Sequence, residues 1–143
     1  MRRCRIWTVF LLLASLVFLS GCGSKMHKIG GCVTYSDTGE PLEIGFVCFA
    51  NGPTFARGLI KPDGTYTMGS FSENDGLPPG TYQVYVDGAR KGMGKRHPDD
   101  DDEQYLQLID LKHSRPETSG LTFVVGGKVK EFNITVDRAP AKR

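Results

Sequence analysis

Turn-forming residues recur along the chain from residue 29 onward and leave only short segments between them. Gly, Pro, Asn and Asp dominate tight turns because each supplies a backbone geometry or a local hydrogen bond that other residues provide poorly. Short segments with this spacing predict an all-β sandwich or barrel. No longer stretch has a convincing helical period; residues 103–113 come nearest, and their assignment stays open. The clusters lie at residues 36–41, 51–53, 61–64, 73–80, 87–94 and 126–127.

Between the turns, apolar and polar residues alternate as they do in half-buried strands. The apolar member of each alternation is expected to face the core. Further short strands are predicted at residues 65–68 and 121–125. The predicted inward sets are Val33 and Tyr35; Val47 and Phe49; Tyr82, Val84 and Val86; and Phe132, Ile134 and Val136.

Two hairpins are predicted from this pattern. Residues 56–60 are expected to pair with residues 65–70 through Pro62-Asp63-Gly64, which has Pro and Gly where a tight turn needs them. The first strand is expected to pair with the second in a register centred on residue 40, inside the first turn cluster.

The second hairpin predicts a disulfide between Cys32 and Cys48. Both side chains would point outward as near cross-strand partners, with Cβ atoms about 4.5–5.5 Å apart. An oxidising compartment would permit the bond, and closing this loop would stabilise the fold by about 3 kcal/mol. The alternative is two partly buried free thiols, because a register shift of one residue would put them on opposite faces.

The first 21 residues have the order of a secretory signal. Residues 1–5 carry three arginines, and residues 6–19 form an apolar run. The run is shorter than the roughly 20 residues that a bilayer span needs. It ends in Leu19-Ser20-Gly21-Cys22, which resembles the lipobox of bacterial lipoproteins.

The lipobox resemblance implies that the Cys22 thiol receives a diacylglyceryl group, that the signal is cut before it, and that a fatty acid such as palmitate anchors the chain. The partner would then be a membrane, and Gly23 after the cysteine implies the outer membrane if the cell is Gram-negative. The alternative is an ordinary signal or a short uncleaved anchor with a chance cysteine. The expected layout is a signal helix at 1–21, a lipidated tether at 22–28, a β domain at 29–138 and a flexible tail at 139–143.

Several short motifs, in order, carry a second resemblance. They are Gly31-Cys-Val-Thr-Tyr35, Gly39-Glu-Pro-Leu42, Phe46-Val-Cys-Phe49, Lys61-Pro-Asp-Gly-Thr-Tyr-Thr67 and Leu77-Pro-Pro-Gly-Thr-Tyr-Gln-Val84. Together they resemble carboxypeptidase-regulatory-like, transthyretin-like domains, and the tail from Arg115 onward looks like small lipoproteins of planctomycete-type bacteria. The resemblance implies an antiparallel β-sandwich of about seven strands. Residues 88–104 are longer and more charged than the family pattern, and Cys32 and Cys48 stand where polar residues are usual.

The charge balance excludes a basic nucleic-acid surface of ordinary size. The whole chain has 18 basic and 16 acidic residues, and three of the basic ones are arginines of the signal. The remaining 15 and 16 nearly cancel, whereas a nucleic-acid face needs clustered positive charge. No nucleic-acid partner is therefore expected.

One acidic run is a weak candidate for a cation site. Calcium loops need alternating ligands and a glycine at the sixth place, but Gln104 follows this run. We therefore expect a solvated loop, partly neutralised by the basic residues that precede it, and no metal or other cofactor. The histidines His27, His97 and His113 are scattered without ligand spacing. The run consists of Asp99, Asp100, Asp101, Asp102 and Glu103.

No sequence signature of a hydrolase, metalloprotease or P-loop enzyme is present, which favours a non-enzymatic module. The first hypothesis is an envelope lipoprotein with a structural or binding β-sandwich. The second is an accessory domain that binds polysaccharide or peptide, which an outward row of Tyr and Phe on one sheet would favour. The third is an unrecognised hydrolase, which a cleft with convergent His and carboxylate would favour. A transthyretin-related hydroxyisourate hydrolase is disfavoured by the chain's last residues, Ala139-Pro-Ala-Lys-Arg143.

Overall fold

Strands dominate the computed structural model, which describes residues 25–70, 72–95 and 103–140. The predicted signal helix, Cys22 and most of the acidic run (Asp99, Asp100, Asp101 and Asp102) lie outside the described residues. The described strands are β1 (Gly30–Tyr35), β2 (Phe46–Asn51), β3 (Thr54–Leu59), β4 (Thr65–Thr67), β5 (Gly80–Asp87), β6 (Arg90–Lys95), β7 (Glu103–Gln107), β8 (Leu121–Val125) and β9 (Ile134–Val136). A short 3-10 helix (Leu111–Ser114) and one helical turn, α1 (Pro116–Ser119), separate β7 from β8.

The strands form two main sheets. One is a four-stranded antiparallel sheet in the order β3-β2-β5-β8. The other has the order β4-β1-β9, in which β1 pairs antiparallel with β4 and parallel with β9. The predicted all-β sandwich is confirmed, with one parallel pair and nine described strands instead of about seven. The two additional strands, β6 and β7, pair antiparallel with each other as a separate two-stranded sheet.

The inward faces of both sheets share one hydrophobic core. All the residues predicted to face inward are buried except Phe132, which packs against the core while partly exposed. The ring of Phe49 lies at its centre, 6.0 Å from the Tyr82 centroid, 5.9 Å from Phe123 and 6.4 Å from Phe132. Aromatic quadrupoles favour these tilted and edge-on contacts. The first two lie within the four-stranded sheet, and the contact with Phe132 reaches the segment before β9 of the other sheet.

The predicted pairing of the first two strands is wrong, because β1 and β2 lie in different sheets. The chain turns back beside β1 for only a few residues: the Leu42 N–H donates to the Val33 carbonyl over 2.9 Å. It then bends at Gly45, where φ is 129° and an added Cβ would lie 2.9 Å from the Asp87 carbonyl oxygen. After this bend the chain enters β2 of the four-stranded sheet, so it forms no longer hairpin with β1.

The other predicted hairpin is correct at its turn and forms only in part along its strands. The Gly64 N–H donates to the Lys61 carbonyl over 2.8 Å, as a tight turn requires. Beyond it, β3 joins one sheet and β4 the other. Backbone hydrogen bonds still join the two segments in one register, because the Lys61 N–H donates to the Thr65 carbonyl over 2.9 Å and Arg57 and Gly69 exchange bonds of 3.2 and 3.3 Å. The turn is therefore a corner of the sandwich.

Candidate functional site

The outer face of the four-stranded sheet carries exposed apolar and aromatic side chains. Phe55 and Leu59 on β3 are 50% and 55% exposed. Leu59 lies directly across from Phe46 on β2, and Tyr85 on β5 is half-buried in the same face. The aromatic residues of this face, Phe46, Phe55 and Tyr85, lie on three different strands and at three different register positions. We call this surface the outer face.

A groove of about 430 Å³ lies at one end of the outer face. The guanidinium of Arg57 stacks over the Phe46 ring, 5.0 Å from its centroid. A flat ring, an apolar side chain and charges of both signs can together bind the faces and hydroxyls of a sugar or the side chains of a peptide. The lining residues are Phe46, Arg57, Leu59, Gly69, Ser70, Ser72 and Glu73.

Cys48 lies under the outer face, between its cross-strand neighbours Arg57 and Tyr85. The residue is only 3% exposed. Burial raises the pKa of its thiol to about 11, and the negative charge of Asp87 adds to the effect. A buried, protonated thiol is a poor nucleophile and a poor metal ligand, so this cysteine acts as a small apolar residue.

Cys32 and Cys48 are both free thiols, so the predicted disulfide is not formed. The register that would have placed them opposite each other depends on a β1–β2 hairpin, and those strands lie in different sheets. Cys32 instead lies across from Thr65 of β4, and its backbone N–H donates to Asn133 Oδ1 over 3.0 Å. The alternative of two partly buried thiols is the one that the structure has.

A second groove, of about 560 Å³, lies beside the turn after β1. Arg138 borders it and stacks over the Tyr35 ring, 3.8 Å from its centroid. Its Nε donates to Asp37 over 2.9 Å, and one terminal nitrogen donates to Glu40 over 2.6 Å. Because the guanidinium contacts the Tyr35 ring and both carboxylates, it holds the segment after β9 against the turn after β1.

Ser36, His113 and Asp137 meet, but not in the arrangement of a hydrolytic triad. The Ser36 hydroxyl donates to one oxygen of Asp137 over 2.5 Å, while His113 Nε2 lies 3.3 Å from the other. A triad needs the histidine between the serine and the carboxylate, so that it can take the serine proton. Here the carboxylate is in the middle, and the Asp137 backbone N–H donates to His113 Nε2 over 3.1 Å.

The surroundings of this cluster also favour a structural role. His113 is 8% exposed, and no described residue is a hydrogen-bond partner of its Nδ1. Lys112 forms an ion pair with Asp137. Hydrogen bonds from Lys112 and Ser36 hold the pKa of the Asp137 carboxyl well below its usual range. The cluster links the 3-10 helix to the end of β9, and it gives no support to the hydrolase hypothesis.

No set of three or more His, Cys, Asp or Glu residues with metal-binding geometry occurs in residues 25–70, 72–95 and 103–140. Four residues of the weak candidate site fall outside that part of the chain, and Glu103 begins β7. Among the helices of the described residues, none has the length and apolar character to cross a bilayer.

Sequence reasoning did not identify the stacking of Arg57 on Phe46 or that of Arg138 on Tyr35. The first had a partial signal: Ala56, Gly58 and Ile60 alternate with an outward set in which Phe55 and Leu59 flank Arg57. A strand with two apolar faces is either covered on both sides or exposes a binding surface. The second stacking joins residues about a hundred positions apart, which no local pattern reveals.

Comparison with known proteins adds little information about function to what the structure itself shows. No family model and no curated protein matches the sequence. Among solved structures, the major pilin subunit of Bacillus cereus is similar, with a TM-score of 0.46 and 10% sequence identity. The match covers 81% of this chain but only 30% of the pilin chain.

Proposed function

We propose that the chain is an exported lipoprotein whose non-enzymatic β-sandwich is held on the cell envelope by a lipid on Cys22. The observation that carries the proposal is the end of the apolar run, Leu19-Ser20-Gly21-Cys22. Two acyl chains suffice for stable attachment, because each buried methylene contributes about 0.8 kcal/mol. The envelope location, outer membrane in a Gram-negative cell, is part of the proposal.

The ordered motifs support a carboxypeptidase-regulatory-like, transthyretin-like type for the sandwich, as in small planctomycete-type lipoproteins. The resemblance implies little about activity, because fold does not specify function. We propose an envelope protein or a polysaccharide as the partner of the domain.

The test of the anchor is metabolic labelling with palmitate. Cys22→Ala should abolish incorporation and leave unprocessed precursor, because this is the cysteine that follows the cleavage motif. Cys4→Ala is the matched control, since Cys4 lies before the apolar run and should leave labelling unchanged. Palmitate on the Cys22→Ala protein would contradict the assignment.

A second candidate function is favoured by the outer face: recognition of a polysaccharide or a peptide in the groove beside Phe46. The test is cosedimentation of the full chain with insoluble peptidoglycan, which offers both chemistries. Phe55→Ser and Leu59→Ser together should reduce binding severalfold, because they remove exposed apolar contacts without opening the core. Met93→Ser is the control, because Met93 is comparably exposed but lies on the separate β6–β7 pair. Sedimentation unaffected by the double change would exclude the outer face as the site.

A further inference from the structure

Two segments of the chain lie side by side at the end of the sandwich where the tether enters. The Gly30 N–H donates to the Lys130 carbonyl over 3.1 Å, and the Phe132 N–H donates to the Gly30 carbonyl over 2.8 Å. A Cβ added at Gly126 would lie 3.9 Å from His27 Nε2, so the turn after β8 passes beside the tether. Residues 25–28 and 126–131 therefore form one surface, which we call the basic end.

The basic end carries an excess of positive charge. Lys25, Lys28, Lys128 and Lys130 are all exposed, and Glu131 is the one carboxylate in these two segments, which leaves a net charge of +3. Val129, between two of the lysines, is 58% exposed. Exposed lysines around an apolar side chain are the composition of a surface that binds anionic lipid.

The acidic residues near the basic end, Glu73 and Asp75, belong to the loop before β5. This loop contacts the tether through the His27–Leu77 bridge. Glu73 lines the groove of the outer face. The Asp75 carboxylate accepts hydrogen bonds from the Ser70 and Ser72 backbone N–H groups, over 2.7 and 3.0 Å.

Covalent geometry keeps the basic end near the anchor. From Cys22 to His27 the chain can span at most about 3.6 Å per residue, or roughly 18 Å. We propose that the basic end rests on an anionic lipid surface, with its lysines among the headgroups and Val129 directed at them. The inference rests on attachment through residues 1–22, and it holds whether the attachment is a lipid on Cys22 or an uncleaved signal.

The interaction has a defined range and strength. Charges at a membrane surface act within a Debye length, about 8 Å at physiological ionic strength, which the short tether allows. Each lysine near an anionic surface contributes about a fivefold factor to the binding equilibrium. Four lysines are therefore sufficient to orient an attached domain.

The experiment uses the full chain reconstituted in vesicles, either of phosphatidylcholine alone or with phosphatidylglycerol. Each lysine is acetylated briefly, and its modification rate is followed by mass spectrometry. We expect the four lysines of the basic end to react severalfold more slowly in the anionic vesicles. Lys61 and Lys91, which are exposed elsewhere, should react equally in both. High salt should remove the difference.

Equal rates for the basic-end lysines in both vesicle types would overturn the proposal, as would equal protection of Lys61 and Lys91. The mass of the N-terminal peptide, measured in the same digest, reports separately whether Cys22 is acylated. Failure of the lipid anchor and failure of the basic end are thus distinguishable. Lys128→Gln with Lys130→Gln should restore fast modification of Lys25 and Lys28, while Lys61→Gln with Lys91→Gln should not.

Discussion

At the scale of single residues, similar residue types have different chemistry because their surroundings differ. Cys48 is buried beneath residues of the neighbouring strands, whereas Cys32, at the end of the β1–β4 pairing, is half-buried. The alternation of β2 predicted correctly that Cys48 points away from the core. It could not predict burial, because the cover comes from Arg57 and Tyr85 on other strands.

The thiol of Cys48 should resist alkylation in the folded protein. With a pKa of about 11, about one thiol in a thousand is ionised at pH 8, and the thiolate is the reactive form. Iodoacetamide at pH 8 should leave Cys48 unmodified until the protein is unfolded, when it and Cys32 should both react without prior reduction. A linked Cys32–Cys48 peptide in the unreduced digest, or fast labelling of native Cys48, would contradict this expectation.

The Asp137 carboxylate should make stability depend on acid pH. Its folded pKa is depressed by hydrogen bonds from Lys112 and Ser36, so its contribution is present above the unfolded value of about 3.9 and is lost as pH falls below it. Asp137→Asn should lower the melting temperature by a few degrees at pH 7, and the two proteins should converge in strong acid. Thermal melts across pH measure this, with Asp87→Asn as the control.

At the scale of strands, local alternation predicted which side chains face the core, and it failed to predict which strands pair. The direction of each inward set, such as Tyr82, Val84 and Val86, depends only on neighbouring residues, so the sequence was sufficient to predict it. Pairing depends on how far the chain continues after a turn. The first predicted hairpin ends early because the chain crosses between sheets at Gly45, and the second is only partial because β3 and β4 belong to different sheets. The parallel β1–β9 pair joins distant segments and had no local signal.

Gly45 should be essential for the first of these crossings. Its φ of 129° suits only glycine, and an alanine Cβ would lie 2.9 Å from the Asp87 carbonyl oxygen. Gly45→Ala should therefore lower the free energy of unfolding by about 2–3 kcal/mol. Gly52→Ala is the control, because Gly52 also has a positive φ but nothing within 4 Å of an added Cβ, and it should cost about 1 kcal/mol. Equal losses, measured by urea unfolding, would show that the bend is not sterically required.

At the scale of the whole molecule, the two sheets are joined by a core that both contribute to, and Phe49 is its most connected ring. Phe49→Ala would remove contacts with Tyr82, Phe123 and Phe132 and leave a cavity, at a cost of about 3–5 kcal/mol. Domains of this size have total stabilities of about 5–15 kcal/mol, so the variant should have a much lower urea midpoint or be unfolded. Phe55→Ala is the matched control, because the same ring on the outer face is half exposed and its loss opens no cavity. If both variants unfolded at the same midpoint, the sheets would not be joined through Phe49, and the pairing of inward faces would need revision.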